Sequence, residues 1–297
     1  MEHIDMAEDL TISRVALGFW RWGEWGLGTK ELGSLVDQAF DLGITTFDHA
    51  DIYNEGQAEK AFGDVLSTRP GLREQTQIIT KSTIVYPSAS VRVKYYDTSS
   101  DYIVRKAEAS LKNLQTDYID LLLLHRPDPL MDPADTAAAF QKLHAEGKVR
   151  HFGVSNYKAS QFDMLQSYLD LPLVTNQIEV SVLQHENFED GTIAHAQRQR
   201  IHPIVWSPLA GGRIFSDDGE QGVRVRTELE RVRQELGAAT LDEVAFAWLY
   251  THPSGLIPIT GSSDMEFVRR PVAAQAHRLT REQWFAVWSA ATGRKVP

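Results

Sequence analysis

The 297 residues contain no cysteine. Disulfide staples, thiolate nucleophiles and thiolate metal sites are therefore excluded together, which agrees with a cytoplasmic setting. No apolar run approaches the roughly 18 residues needed to cross a bilayer. The opening Met1-Glu2-His3-Ile4-Asp5 is acidic and lacks the apolar centre of a secretory signal or transit peptide. Positive charge is in deficit: 30 Lys and Arg face 40 Asp and Glu, a net charge of −10. Phosphate backbones call for clustered cations, and no basic stripe exists. Arg198, Arg200 and the arginines of 224–233 are interleaved with acids or lie on solvated helix faces, so a nucleic-acid role is not expected. No G-x-G-x-x-G fingerprint follows the first strand, so a Rossmann dinucleotide domain is not indicated. No linker or shift in composition divides the chain, and residues 1–297 read as one domain.

With 42% apolar residues the chain can bury a full core. One stretch organises it, Gly43-Ile44-Thr45-Thr46-Phe47-Asp48-His49-Ala50-Asp51-Ile52-Tyr53-Asn54-Glu55-Gly56. A β-branched run at Ile44–Phe47 reads as a short buried strand. It gives way at once to Asp48, His49, Asp51 and Tyr53. Two later runs end alike: Gln77–Thr80 in Lys81-Ser82, and Ile119–Leu124 in His125-Arg126-Pro127. In α/β sheets and barrels the carboxyl ends of the strands carry the chemistry.

The strand and helix signals alternate along the whole chain. After a short hairpin within residues 9–20, strands are expected at 15–19, 44–47, 77–81, 119–124, 149–154, 173–178, 203–206 and 256–259. Helices are expected at 30–42, 57–66, 99–114, 133–146, 158–169, 187–199, 224–236, 241–251 and 264–270. Alternation of this kind implies right-handed βαβ units and a parallel sheet. Eight strands is the number that closes a (β/α)8 barrel. A tail helix at 280–291 carries Trp284, Phe285 and Trp288, a stripe suited to packing on the barrel. Two tryptophan- and tyrosine-bearing segments, 18–26 and 82–98, read as loops; Trp20 and Trp22 in the first suit the lining of an apolar pocket.

The strand-end residues and their contexts resemble the aldo-keto reductases. The carriers are G-x-x-x-F-D-x-A-x-x-Y at 43–53, Lys81 at a strand end and His125 before Arg126-Pro127-Asp128. Gly-Val-Ser-Asn at 153–156, Trp-Ser-Pro-Leu at 206–209 and Ile-Pro-Ile-Thr-Gly-Ser-Ser at 257–263 follow in the family's order. The closing Leu-Thr-Arg-Glu-Gln-Trp-Phe at 279–285 is similar to a bacterial branch typified by YdhF. The resemblance covers nearly all of the chain. It implies a single TIM barrel with an N-terminal hairpin and a C-terminal helix. It also implies a nicotinamide dinucleotide across the barrel mouth. Gly18 and Asp48 would border it, and Ser155, Asn156 and Gln177 would hold the carboxamide. Trp206 would stack on the ring, Ser207, Leu209 and Gly211 would meet the pyrophosphate, and Gly261, Ser262 and Ser263 the 2′-phosphate. Asp264, Phe267 and Pro271 depart from the pattern near that phosphate. NADP(H) is favoured nonetheless, with NAD(H) as the alternative.

The chemistry follows from the residue types. Reducing a carbonyl requires a hydride, which no side chain donates, and a proton for the forming alkoxide. Tyr53 is the expected proton donor. Its pKa, ordinarily about 10, is expected to fall beside the Lys81 ammonium, which Asp48 would hold by a salt bridge. His125 would orient the substrate oxygen. With Trp20 and Trp22, Tyr53 and His125 would form the pocket for a small carbonyl or alcohol substrate. Two rival functions remain at this point. A metal-dependent TIM-barrel hydrolase would use Asp48, His49, Asp51 and His125, but the further histidine it needs is missing, since His144 and His151 lie on a helix end and a strand start. A non-catalytic nicotinamide-binding regulatory protein would keep the barrel without turnover.

Overall fold

The computed structural model describes residues 1–296. Eight parallel strands close into a barrel. They are β1 (Ala16–Gly18), β2 (Thr46–Asp48), β3 (Gln77–Ser82), β4 (Ile119–Leu124), β5 (Val149–Ser155), β6 (Leu173–Glu179), β7 (Ile204–Trp206) and β8 (Ile257–Thr260). Each strand pairs with its neighbour in sequence, and β8 returns to β1 through Ile259–Ala16 and Thr260–Leu17. Strands covered on both faces need apolar residues throughout. The sequence obliges: all six residues of β4, Ile-Asp-Leu-Leu-Leu-Leu, are buried. The one acid among them, Asp120, is neutralised by Arg73 at 2.7 Å.

Ten helices of eight or more residues surround the barrel. They are α1 (Thr29–Asp41), α2 (Gln57–Ser67), α3 (Ser100–Leu114), α4 (Pro133–Ala145), α5 (Ala159–Gln166), α6 (Thr192–Gln199), α7 (Glu220–Leu236), α8 (Leu241–Thr251), α9 (Met265–Ala273) and α10 (Arg281–Thr292). Local signals fix their ends. Asp132 accepts hydrogen bonds from the amides of Ala134 and Asp135 ahead of Pro133, which starts α4. Gly63 lets α2 and α3 meet closely, because a Cβ there would stand 2.2 Å from the Asn113 carbonyl oxygen.

The amino-terminal end of the barrel is plugged by a hairpin, His3–Ala7 paired with Leu10–Ser13. Its Met6, Leu10 and Ile12 pack with Ile79, Leu121, Leu123, Val174, Ile204 and Ile257. The hairpin lies earlier than residues 9–20, because its first arm, His-Ile-Asp-Met-Ala, is too polar to stand out by pattern. The tail helix α10 packs on the barrel as expected. Trp284 stacks on Trp248 at 4.8 Å and 7°, and each indole donates to the other's carbonyl at 3.1 Å.

Several boundaries differ from the sequence reading. The helix expected at 187–199 is broken at Gly191, whose φ of +87° ends one segment and begins α6. Helix α7 starts four residues earlier than 224, at Glu220. Segment 82–98 contains a small antiparallel pair, Ile84–Val85 with Tyr95–Tyr96. Helix α9 continues through Pro271 to Ala273.

Candidate active site

Strands β2, β3 and β4 deliver Asp48, Lys81 and His125 to the carboxyl end of the barrel, and the turn after β2 delivers Tyr53. The backbone sets the turn: the Asp51 amide donates to the Lys81 carbonyl at 3.0 Å and the Tyr53 amide to that of Ala50 at 3.0 Å. Asn54 and Glu55 then take left-handed conformations, φ +47° and +56°, which swing the chain into α2.

Lys81 is wholly buried. Its Nζ donates to Asp48 Oδ1 at 2.6 Å, to the His49 carbonyl at 2.7 Å and to the Tyr53 hydroxyl at 3.2 Å. Three donors meet three acceptors, so the ammonium is fully satisfied. Burial works against the Lys81 charge, but Asp48 and Tyr53 outweigh it and hold its pKa above the ordinary lysine value. For Tyr53 the balance goes the other way. Burial pushes the phenol above its usual value, and Lys81 pulls it down without prevailing. The expected lowering of the Tyr53 pKa is therefore corrected: the pull exists, but the net direction is upward, because desolvating a phenolate costs more than one shared ammonium returns. His125 stands edge-on to Tyr53, ring centroids 6.0 Å apart. Burial, followed by the charges of Lys81, Arg126 and Lys94, holds its pKa well below the ordinary value, so the imidazole is neutral.

These groups open onto a cavity of about 500 Å³ at the barrel mouth. Asp48, Tyr53 and His125 line it, while Lys81 sits behind them. Of the residues expected to hold a cofactor, Gly18, Ser155, Asn156, Gln177, Trp206, Ser207, Leu209, Gly211, Gly261 and Ser262 line it too. Ser263 stands outside the lining. Gln177 Nε2 donates to Asp48 Oδ2 at 2.8 Å, which ties the two groups of residues together. Asn156, left-handed at φ +62°, spends one N–H on Ser155 Oγ at 2.8 Å and one lone pair on Trp206 Nε1 at 3.0 Å. One N–H and one lone pair remain free, the complement of a carboxamide. The left-handed backbone at Ser207, Ala210, Gly211 and Gly212 folds the loop after β7 inward. Arg21 from the loop after β1 donates to the Gly211 carbonyl at 3.1 Å.

Trp20 lines the cavity and is 66% exposed. Trp22 does not line it; its ring packs against Trp25 at 5.9 Å and Phe19 at 6.5 Å on the barrel's aromatic core. A one-turn helix, Trp22–Trp25, turns the second and third tryptophans inward, and tryptophan spacing alone does not reveal it. His49 also leaves the site. It is fully buried, stacked on Phe19 at 4.2 Å, and held neutral with a pKa of about 3 by burial and by Lys81. Among the described residues no three His, Asp or Glu side chains converge as metal ligands. Asp264 accepts a hydrogen bond from the Glu266 amide at 2.9 Å, as the N-cap of α9. Arg270 is engaged by Asp242 at 3.0 Å. Arg21, Lys94, Arg126 and Phe215 line the cavity without having been singled out in the sequence. For Arg126 a signal was available: it directly follows His125 at a strand's carboxyl end.

Residues 14–291 match the aldo/keto reductase family. The chain belongs to that family. It is 51% identical to the uncharacterized oxidoreductase YcsN of Bacillus subtilis, over 100% of both chains. It is 46% identical to the oxidoreductase YdhF of Escherichia coli, over 96% of this chain and 95% of that one. A 6-dehydroglucose reductase of Agrobacterium fabrum is 41% identical over 100% of both chains. Among solved structures, an aldo/keto reductase from Klebsiella pneumoniae in complex with NADP and acetate superposes with a TM-score of 0.77 at 26% identity, over 94% of this chain and 92% of that one. This aldo/keto reductase is thus an oxidoreductase by family. None of the described helices is long and apolar enough to cross a membrane.

Proposed function

We propose that the chain, acting as one cytoplasmic domain, is an NADP(H)-dependent carbonyl reductase in which Tyr53 gives the proton. The observation that carries this reading is the contact of Lys81 Nζ with both Asp48 and the Tyr53 hydroxyl, at 2.6 and 3.2 Å. Bound at the mouth, the dinucleotide supplies the hydride that no side chain can provide. Asn156 has the free donor and acceptor to hold its carboxamide, Trp206 offers a ring face, and the glycines at 211 and 212 let the backbone approach a pyrophosphate. Gly261 and Ser262, which line the cavity, would meet the 2′-phosphate.

In reduction, the carbonyl oxygen sits between the Tyr53 hydroxyl and the neutral His125 ring. As the carbon accepts a hydride, the oxygen becomes an alkoxide and takes the Tyr53 proton. Lys81 then faces the resulting phenolate and stabilises it, and solvent restores the proton. A high phenol pKa keeps Tyr53 protonated at neutral pH, which suits reduction better than alcohol oxidation.

The cofactor preference rests on Ser262 at the adenosine end of the cavity. The Klebsiella relative's complex with NADP supports it. The name of the 41%-identical relative makes sugar-derived aldehydes the first substrates to try. The test is a single turnover. NADPH bound to the protein is mixed with glyceraldehyde and its absorbance is followed. Oxidation with stoichiometric alcohol is expected. Tight binding of NADPH without oxidation by any aldehyde would instead mark a regulatory nicotinamide binder. Equal or tighter binding of NADH would overturn the cofactor preference.

A further inference from the structure

The cavity's charge is opposite to that of the chain. The protein carries −10 overall, yet three cations, Arg21, Lys94 and Arg126, line the cavity against a single carboxylate, Asp48. That carboxylate is spent on Lys81 and Gln177. Arg21 is directed to the Gly211 carbonyl, on the side of the glycine loop. The other two stand on the side of the proton donor. Arg126 follows His125 directly, and its Cζ lies 5.6 Å from the Trp206 ring centroid. Lys94 is carried by the loop after β3, with Nζ 5.0 Å from the Tyr86 ring, which also lines the cavity. Neither forms an ion pair among the described residues. Glu179 feels the Arg126 charge but stands outside the lining. A half-buried guanidinium with no anionic partner presents its planar fork of donors to whatever enters the cavity, and walls of low dielectric strengthen its field there.

We propose that Arg126, assisted by Lys94, forms an anion subsite, and that the carbonyl substrate carries a carboxylate or phosphate a few atoms from its aldehyde or ketone carbon. The proposal rests on the carbonyl-reductase reading and specifies its substrate class. The subsite fixes the substrate's far end while Tyr53 and His125 hold the oxygen.

The experiment compares matched pairs: 4-oxobutanoate with butanal, and glyceraldehyde 3-phosphate with glyceraldehyde. Wild type, Arg126→Gln and Lys94→Gln are each assayed at saturating NADPH. In wild type the charged member is expected to lead in kcat/KM by about tenfold or more, the worth of one charge-assisted hydrogen bond, mostly through KM. The lead shrinks as ionic strength rises. In Arg126→Gln the ratio collapses toward one, and Lys94→Gln lowers it by a smaller step. Parity in wild type, or an unchanged ratio in Arg126→Gln, overturns the proposal. So does an Arg126→Gln variant whose NADPH dissociation constant rises by the same factor, because the arginine would then serve the cofactor. If no aldehyde is reduced with either cofactor, the reductase reading falls, and calorimetry decides the subsite separately. Binding of 4-hydroxybutanoate but not 1-butanol, lost in Arg126→Gln, upholds it. Absence of heat with 4-hydroxybutanoate at millimolar concentration ends it.

Discussion

Gln177 Nε2 donates to Asp48 Oδ2 at 2.8 Å, joining β6 to β2 across the barrel mouth. The other Asp48 oxygen is held by Lys81. One buried carboxylate thus couples the residues proposed to move the proton with those proposed to hold the cofactor. Gln177→Leu removes the donor and leaves Oδ2 unpaired, at a cost of about 1–3 kcal/mol. Chemical denaturation is expected to show that loss, and titration with NADPH a weaker affinity. A variant with wild-type stability and affinity would mean that the bond couples nothing.

Tyr53→Phe deletes only the hydroxyl. Reduction is expected to drop by about 10²–10⁴-fold under chemistry-limited conditions, with the cofactor dissociation constant preserved. Lys81→Met is expected to lower the rate as well, and the double variant to be little worse than the worse single one, since both act on one proton. Because the Tyr53 pKa lies above its ordinary value, wild-type reduction should not decline through Tyr53 ionisation until the pH exceeds about 10. A Tyr53→Phe enzyme with most of its turnover would transfer the proton-donor role to another group.

Asp51 offers a stability prediction with a definite sign. Its carboxylate is buried beside Lys106 Nζ at 2.8 Å. Burial raises its pKa from 3.8 to about 6, against the opposing pull of Lys106. A folded pKa above the unfolded one means that the folded chain takes up the proton more readily. This group therefore favours folding as the pH falls from 7 through 6 toward 4, and its ionisation is a cost at neutral pH. Between pH 7 and pH 5 the stability of wild type relative to Asp51→Asn is expected to rise by about 1–2 kcal/mol. Urea denaturation of both proteins at the two pH values measures it; parallel pH dependences would contradict the shift.

Gly63 tests the packing beneath the site. A Cβ would stand 2.2 Å from the Asn113 carbonyl oxygen and 2.7 Å from the Leu114 carbonyl carbon, both backbone atoms. Gly63→Ala forces α2 and α3 apart and should cost about 1–3 kcal/mol, read as a lower midpoint in thermal denaturation. If the variant melts with wild type, the helices have room that the close approach denies.

What the sequence determined alone is what local pattern encodes. Apolar runs of four to six residues alternating with amphipathic stretches specify eight strands and their helices, the number that closes a (β/α)8 barrel. The abrupt change from Phe47 to Asp48, or from Leu124 to His125, marks the strand ends where polar groups meet. Tertiary structure decided whatever depends on the direction of a side chain or on several elements at once. Trp20 lines the cavity and Trp22 packs on the core because the one-turn helix Trp22–Trp25 starts only after Trp20 and turns the later indoles inward. His49, adjacent to Asp48, points the other way and stacks on Phe19, since neighbouring residues leave a strand on opposite faces. The direction of the Tyr53 pKa came from desolvation, which depends on everything packed around the hydroxyl and not on the charge of Lys81 alone. The gathering of Lys94 and Arg126 in one cavity required barrel closure to bring two loops together, and spacing along a chain carries no record of that.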